Sequence, residues 1–145
     1  MIFRLNINPD CQEEVIANVH ERTPIIDEIE KLVTQDVADQ ITGYLDDEIK
    51  ILNVDNVECF FVEDEKTYAL CSDNKKYVIR NRLYELEQIL PADFIKINKS
   101  AIANSKRIIR FKVLLSGAVN AEFKSGYTEC ISRRCFATIK RRFGV

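Results

Sequence analysis

The chain has 145 residues, of which 46% are hydrophobic and 30% charged, and its formal net charge is −2. This composition can bury one ordinary core or two small ones, and it excludes intrinsic disorder. No stretch approaches the roughly 18 apolar residues that a membrane span needs, and the first ten residues lack the basic and then apolar pattern of a secretion signal. We therefore expect a cytoplasmic protein.

The cysteines of the chain indicate a reducing environment. Their number is odd, each lies alone in an apolar or strand-like context, and no pair has the C-x-x-C spacing. They are Cys11, Cys59, Cys71, Cys130 and Cys135. We expect free thiols and no disulfide framework.

The N-terminal part of the chain predicts a strand, a second strand and a helix. Residues 2–7 begin a strand that stops at an Asn-Pro-Asp turn, and residues 14–20 alternate apolar and polar positions. Thr23 offers an N-cap hydroxyl, and Pro24 suits the first helical position. The apolar spacing that follows predicts a helix up to about Gln40.

From residue 41 onward the pattern is mostly that of short strands separated by turn residues. Strands are predicted at 41–45, 48–52, 57–64, 66–72, 76–80, 94–98, 106–115, 118–124 and 127–132. Helices are predicted at 83–90, where Pro91 stops the helix, and at 133–143. The fold class is therefore α+β and mostly β, with a small α+β unit at 1–41 and a second domain at 42–145.

Charge is segregated along the chain. Residues 94–145 hold twelve Lys and Arg against two acids, a net of +10, whereas residues 1–93 hold nine basic and twenty-one acidic residues, a net of −12. Solubility explains a total charge but not its separation into two regions. A basic C-terminal region indicates a polyanionic partner, and nucleic acid is the first candidate.

A set of motif residues in the basic region is shared with a known family. After the helical segment LYELEQIL come Phe94, Lys96, Ser100 and Asn104, and then Ser132, Arg133 and Arg134. Across roughly residues 42–143 this order and spacing resembles the LytTR DNA-binding domain of bacterial response regulators, whose members share F-x-[RK]-x-H-x-S-x-x-x-N and a closing S-R-[RK]. One departure is Asn98, which stands where the family has His and which cannot become charged.

The resemblance implies layered sheets of short strands that place loops, not a recognition helix, into successive major grooves of double-stranded DNA. The implied DNA contacts are Lys66, Lys99 and Arg134, with Asn98, Ser100 and Arg133 beside them. Arg134 can bind guanine O6 and N7 with two hydrogen bonds, Lys66 can reach guanine or phosphate, and Lys99 suits a phosphate contact. Asn104, in contrast, is expected to bond backbone in its turn.

The N-terminal unit lacks the phospho-acceptor aspartate pattern of a receiver domain. We expect residues 1–41 to mediate homodimerisation or contact with a regulatory protein, although the apolar face of the predicted helix could instead pack on its own strands. A two-fold dimer would match DNA with two half-sites. The family resemblance, and no feature of the sequence itself, implies a regulatory membrane protein as a further partner.

Other functional classes have weaker support in the sequence. The basic face could dock on an acidic protein partner without any DNA activity. Catalysis is not expected, because the single histidine, His20, lies far in sequence from any serine or cysteine motif. No cofactor or metal is expected, since Cys130 and Cys135 lack further ligands nearby and the acidic runs at 46–48 and 63–65 read as solvated loops.

Overall fold

The structure is a computed structural model that describes residues 1–34 and 37–144. It divides into two compact units, Met1–Thr34 and Gln35–Val145. The boundary that the sequence proposes at residue 41 falls inside the first strand of the second unit. No helix of the described ranges is long and apolar enough to cross a membrane.

The regular elements of the described residues are three α-helices, ten strands and two short 3-10 helices at Val54–Asn56 and Ser105–Arg107. The helices are α1 (Pro24–Thr34), α2 (Leu83–Ile89) and α3 (Arg133–Phe143). The strands are β1 (Gln40–Leu45), β2 (Glu48–Asn53), β3 (Val57–Glu63), β4 (Lys66–Cys71), β5 (Lys76–Ile79), β6 (Phe94–Asn98), β7 (Ala101–Asn104), β8 (Ile108–Val113), β9 (Val119–Phe123) and β10 (Thr128–Ile131). The predicted α+β, mostly β class is confirmed.

The strands form two antiparallel sheets. A seven-stranded sheet has the order β2-β1-β5-β4-β3-β7-β6, and a three-stranded sheet has the order β10-β9-β8. Strands that are consecutive in the chain often pair because tight turns join them. Gly117 and Gly126 lie at the two turns of the small sheet with φ of 85° and 92°, a backbone conformation that glycine adopts at little cost. The register of β3 shifts at one point, between Val57 and Cys59.

Each face of the large sheet has its own core. One face packs against α2, with Phe60, Tyr77 and Leu86 fully buried. The second face packs against the small sheet and α3, with Ile97 and Phe123 fully buried. Burial on both faces explains why β3 reads as a nearly continuous apolar run rather than as an alternating one.

The predicted N-terminal strands are wrong. Residues 1–23 contain no strand and no helix, and the apolar side chains of both predicted strands are largely exposed, including Phe3 at 86% and Val15 at 60%. Alternation gives a strand one apolar face. A strand also needs a hydrogen-bonded partner strand, and these segments have none within the described residues. The unit at 1–34 therefore holds a single helix.

The end of the first helix and the presence of one strand also differ from the sequence prediction. The first helix ends at Thr34 in the described part of the chain and does not reach Gln40, which begins β1; residues 35 and 36 of the predicted helix lie outside the described residues. Strand β7, with its short sequence AIAN, was not predicted. It pairs with both β3 and β6, so the core extends across a segment that reads locally as a loop.

Candidate nucleic-acid interface

Lys66 lies at the start of β4, directly after a tight hairpin turn. The two turn residues, Asp64 and Glu65, have φ of 50° and 64°, and the turn is closed by the pair Glu63 and Lys66. Positive φ at both central positions matches the right-handed twist of the strands that the turn joins. The turn therefore presents Lys66 as an exposed side chain at the end of the sheet.

The acidic residues before Lys66 are partly neutralised by a neighbouring strand. Lys76 of β5 lies 2.8 Å from the Glu63 carboxylate and also lies over the Tyr68 ring, with Nζ 4.3 Å from the ring centroid. The Glu63 carboxylate accepts a hydrogen bond from Lys76 and raises the pKa of that ammonium group. Lys66 itself makes no ion pair within residues 1–34 and 37–144, so its charge stays available for a ligand.

The second segment is the turn between β6 and β7, where Lys99 is exposed at the tip. Asn98 Oδ1 accepts a hydrogen bond from the Ser100 N–H at 2.7 Å, which closes a local turn. The Ser100 carbonyl in turn accepts a hydrogen bond from the Val62 N–H at 2.8 Å, near the end of β3. The Lys99 turn is thus fixed to the strand that leads into the Lys66 hairpin.

Asn98 also ties this turn to β10. Its Nδ2 donates to the Cys130 carbonyl at 2.6 Å and to Glu129 Oε1 at 3.2 Å. Together with the bond from Ser100, three hydrogen bonds of the Asn98 side chain go to protein atoms. The geometry gives Asn98 a positioning role, in which it sets the shape of the loop that carries Lys99.

The third segment is the start of α3, which holds Arg133 and Arg134 in its first turn. Ser132 caps the helix, since its side chain accepts from the Cys135 N–H at 3.2 Å, and its own N–H donates to the Ile97 carbonyl at 2.9 Å. Both arginines are exposed. The first turn contains no acidic residue, so the positive end of the helix dipole adds to the arginine charge.

Backbone hydrogen bonds bring the three segments together although they are far apart in the chain. The bond from Val62 to Ser100 joins β3 to the Lys99 turn, and the bond from Ser132 to Ile97 joins the start of α3 to β6. All six residues that the sequence suggested for DNA contact therefore lie on these three connected segments: Lys66, Asn98, Lys99, Ser100, Arg133 and Arg134.

Many of the other basic residues already have protein partners. Lys96, Lys106 and Arg110 form ion pairs with Glu87, Asp93 and Glu122 at 3.5, 3.1 and 2.7 Å. Arg107 donates to the Asp55 carbonyl at 2.9 and 2.7 Å. Lys99, Arg133 and Arg134, in contrast, have no ion pair and no side-chain hydrogen bond in the described part of the chain. Each of the three connected segments therefore carries at least one cation without a protein partner in the described residues.

Glu129 is a site residue that sequence reasoning missed. Its carboxylate accepts from Asn98 Nδ2 and, at 2.5 Å, from the Tyr127 hydroxyl. Burial raises the pKa of Tyr127, and the hydrogen bond to Glu129 raises it further, so the hydroxyl stays protonated as a donor. The acid serves to hold the Asn98 side chain. No sequence pattern marks this role, because Glu129 is adjacent to Asn98 only after β10 has folded beside β6.

Asn104 is structural, as expected. Its side chain is 1% exposed, Nδ2 donates to the Val57 carbonyl at 3.0 Å, and Oδ1 accepts from the Lys106 N–H at 3.2 Å. It therefore joins the end of β7 to β3 and caps the turn that follows. A side chain this buried has no access to a macromolecular ligand.

Curated relatives of this chain are named as transcriptional regulators. An uncharacterized HTH-type transcriptional regulator of Staphylococcus aureus (strain NCTC 8325 / PS 47) is 36% identical over 110 residues, which cover 76% of this chain and 74% of the relative. Its counterpart in the bovine strain RF122 / ET3-1 is 34% identical over the same shares of both chains. In the described residues of this chain, strands separate each helix from the next, so they contain no helix-turn-helix.

The family comparison covers the domain that holds the three segments. A solved LytTr DNA-binding domain from Bacillus cereus matches with a TM-score of 0.68 at 20% identity, covering 74% of this chain and 99% of the solved one, which establishes the fold. The model of the LytTr DNA-binding domain family matches residues 47–144, about two thirds of the sequence. With this match and relatives above 30% identity, the chain belongs to the LytTR DNA-binding domain family.

Proposed function

We propose that this protein is a transcriptional regulator that binds double-stranded DNA sequence-specifically, reading the major groove with loop residues. The observation that carries this proposal is the union of three segments by backbone hydrogen bonds, each with cations that have no protein partner. Loops held this rigidly can keep base-contacting side chains in register with a groove. The proposal is also what membership of the family favours.

The chemistry of each side chain suggests its role. Arg134 has the planar donor pair that recognises guanine O6 and N7, and Lys66 can reach guanine or a phosphate from the hairpin turn. Lys99, on a loop tip, suits a phosphate contact. Arg133 and the Ser100 hydroxyl can add contacts beside these, while Asn98 orients the loop.

We further propose that the protein acts as a homodimer on a site with two repeats. Residues 1–41 would mediate this dimerisation or the contact with a regulatory protein, with residues 42–145 as the DNA-binding domain. The support is the exposure of the apolar residues of this region: α1 has no buried residue, and Leu32 and Val33 are 57% and 54% exposed. A regulatory membrane protein would be one such partner.

The first experiment is selection of bound duplexes from a random DNA pool at near-physiological salt, followed by titration of the enriched site and of a scrambled site. We expect enrichment of paired short repeats, bound at least about a hundredfold better than the scrambled duplex. Binding without preference that vanishes at moderate salt would contradict base readout, and it would favour docking of the basic face on an acidic protein.

Three alanine variants then separate base contact from phosphate contact. Arg134→Ala should lose about 1–3 kcal/mol on the preferred site and relax the preference at one position, whereas Lys99→Ala should weaken all sequences about equally. Lys124→Ala is the matched control, because Lys124 is exposed but lies at the far end of β9, at the turn beside Arg107. Equal losses on all sequences from Arg134→Ala would remove its assignment as a base contact.

A further inference from the structure

Strand β2 is an open edge of the seven-stranded sheet. The opposite edge, β6, is covered, because the Ile97 carbonyl accepts from Ser132 and the Asn98 side chain donates to β10. Among the strands of the described residues, β2 pairs only with β1, over six residue pairs without a register shift. Edge strands are often protected by a bulge, a proline or charged side chains; β2 has no bulge and no proline, and its charged residues are Glu48 and Lys50.

The outer face of β2 is apolar and exposed. Ile49 and Ile51 are 72% and 66% exposed, whereas Leu52, on the opposite face, is 3% exposed and belongs to the core. Ile49 and Ile51 lie opposite Tyr44 and Thr42 of β1. Two β-branched apolar side chains on an open edge form a surface that another strand can cover.

The backbone groups of the same two residues point outward. β1 and β2 are joined by a two-residue turn, and the pair that closes such a turn, Leu45 and Glu48, is a hydrogen-bonded pair. Bonding alternates along an antiparallel ladder, so the N–H and C=O groups of Ile49 and Ile51 are directed away from β1. These groups are the donors and acceptors that a further strand would use.

The charges of β2 favour antiparallel pairing with the β2 strand of a second chain in one register. In an antiparallel pair centred on Ile49, each Glu48 lies opposite Lys50 of the other copy, which gives two ion pairs by symmetry. A pair centred on Lys50 would place the two Lys50 side chains, which carry like charges, opposite each other. A pair centred on Ile51 would place Lys50 opposite the apolar Leu52. Glu48 has no ion pair in the described ranges. Lys50 contacts Tyr77, and its ammonium group donates to the Tyr77 hydroxyl at 3.3 Å.

We propose that β2 is a self-association surface, at which a second copy of the chain adds its own β2 antiparallel and centred on Ile49. The contact is small, so it forms weakly in dilute solution. It becomes effective where two copies are held close together, because proximity raises their effective concentration. The inference concerns a surface separate from the three DNA-contact segments and does not depend on the DNA-binding proposal.

Disulfide trapping of the full-length chain tests the pairing. In a background with Cys11→Ser and Cys130→Ser, Ile49→Cys should form a disulfide-linked dimer on mild oxidation, since residues facing each other in a hydrogen-bonded pair have Cα atoms about 5.5 Å apart, within disulfide range. Ile51→Cys should link more slowly. Tyr84→Cys, on the surface of α2 and 63% exposed, is the control for random collision.

A charge exchange gives the sharper test. In the Ile49→Cys background, Glu48→Lys alone and Lys50→Glu alone should each lower the cross-linking rate, because each places like charges opposite one another. Mixing the two variants should restore the rate as a mixed dimer, since every pair then has opposite charges. Cross-linking of Ile49→Cys no faster than Tyr84→Cys, or a mixture no faster than the single variants, overturns the proposal. Success of the DNA selection alongside that failure would leave the proposed function intact.

Discussion

At the scale of single residues, Asn98 shows how one side chain can fix the shape of the loop that carries Lys99. Its Nδ2 donates to the Cys130 carbonyl and its Oδ1 accepts from the Ser100 N–H. A carboxylate at this position would keep the acceptor and lose the donor. It would also place a second negative charge beside Glu129.

We therefore expect Asn98→Asp to lower the free energy of unfolding by about 1–3 kcal/mol, the usual cost of leaving a polar group unpaired, and to weaken DNA binding as well. Urea denaturation followed by circular dichroism measures the first effect. Asn6→Asp, at an exposed position in the N-terminal segment, is the control and should change little. A variant as stable as the parent would show that the loop does not need the Asn98 donor.

The cysteines differ in reactivity because their surroundings differ. Burial raises the pKa of Cys71 to about 11 and holds the pKa of Cys59 well above its ordinary value, so neither thiol ionises near neutral pH. Cys11 and Cys130 are exposed. Because the thiolate is the nucleophile, alkylation depends on both ionisation and access.

Brief treatment with iodoacetamide at pH 8 should modify Cys11 and Cys130 and leave Cys59 and Cys71 unmodified, as read by mass spectrometry of peptides. In denaturant all five cysteines should react, which serves as the control for intrinsic reactivity. Rapid modification of Cys59 in the native protein would contradict its place in the core between β4 and β7.

At the scale of elements, the start of α3 depends on a single cap. Ser132 satisfies the Cys135 N–H with its side chain, while its own N–H holds the helix to β6. Ser132→Ala removes only the first of these bonds. The helix should therefore stay attached while its first turn frays, and that turn carries Arg133 and Arg134.

We expect Ser132→Ala to cost about 1 kcal/mol of stability, as the loss of an N-cap usually does, and to weaken DNA binding by more than its effect on stability alone. Ser132→Thr keeps the acceptor and should restore both properties. The paired measurements are thermal unfolding and titration with the selected duplex. Ser132→Ala with unchanged DNA affinity would indicate that the arginines do not require a fixed first turn.

The elements also show what a sequence can predict. Apart from β7, the strands between residues 41 and 132 follow from alternation and turn residues, because each has a partner nearby in the chain. Residues 14–20 alternate equally well, yet form no strand, since pairing is a property of two segments and not of one. β7 was not predicted because its sequence is too short to show a strand pattern. It forms a strand because it pairs with β3 on one side and β6 on the other.

The candidate site also has a part that the sequence indicates and a part that depends on the fold. The six candidate residues follow from a family resemblance that locally spaced motif residues carry, and their contact with DNA stays a prediction. The bond between Ser132 and Ile97, and the role of Glu129 as a support for Asn98, connect residues more than thirty positions apart. Such contacts depend on how β10 and α3 fold against β6, which no spacing rule contains.

At the scale of the whole molecule, the two units contribute differently to stability. Every fully buried apolar residue of the two cores lies between residues 41 and 139, whereas no described residue of 1–34 is buried. Removing residues 1–34 should therefore leave a chain that unfolds cooperatively at a similar temperature, because the removed part buries little apolar surface.

The same deletion separates DNA recognition from dimerisation. The shortened chain keeps all three segments that we propose contact DNA, so its affinity for a duplex with one repeat should match that of the full chain. If residues 1–34 join two copies, the shortened chain should bind a two-repeat duplex less tightly than the full chain does, because the second binding event is no longer intramolecular. Titrations of both chains against both duplexes measure this difference. Equal affinities on the two-repeat duplex would remove residues 1–34 as the dimerisation surface, and β2, which the deletion leaves in place, would be the next surface to test.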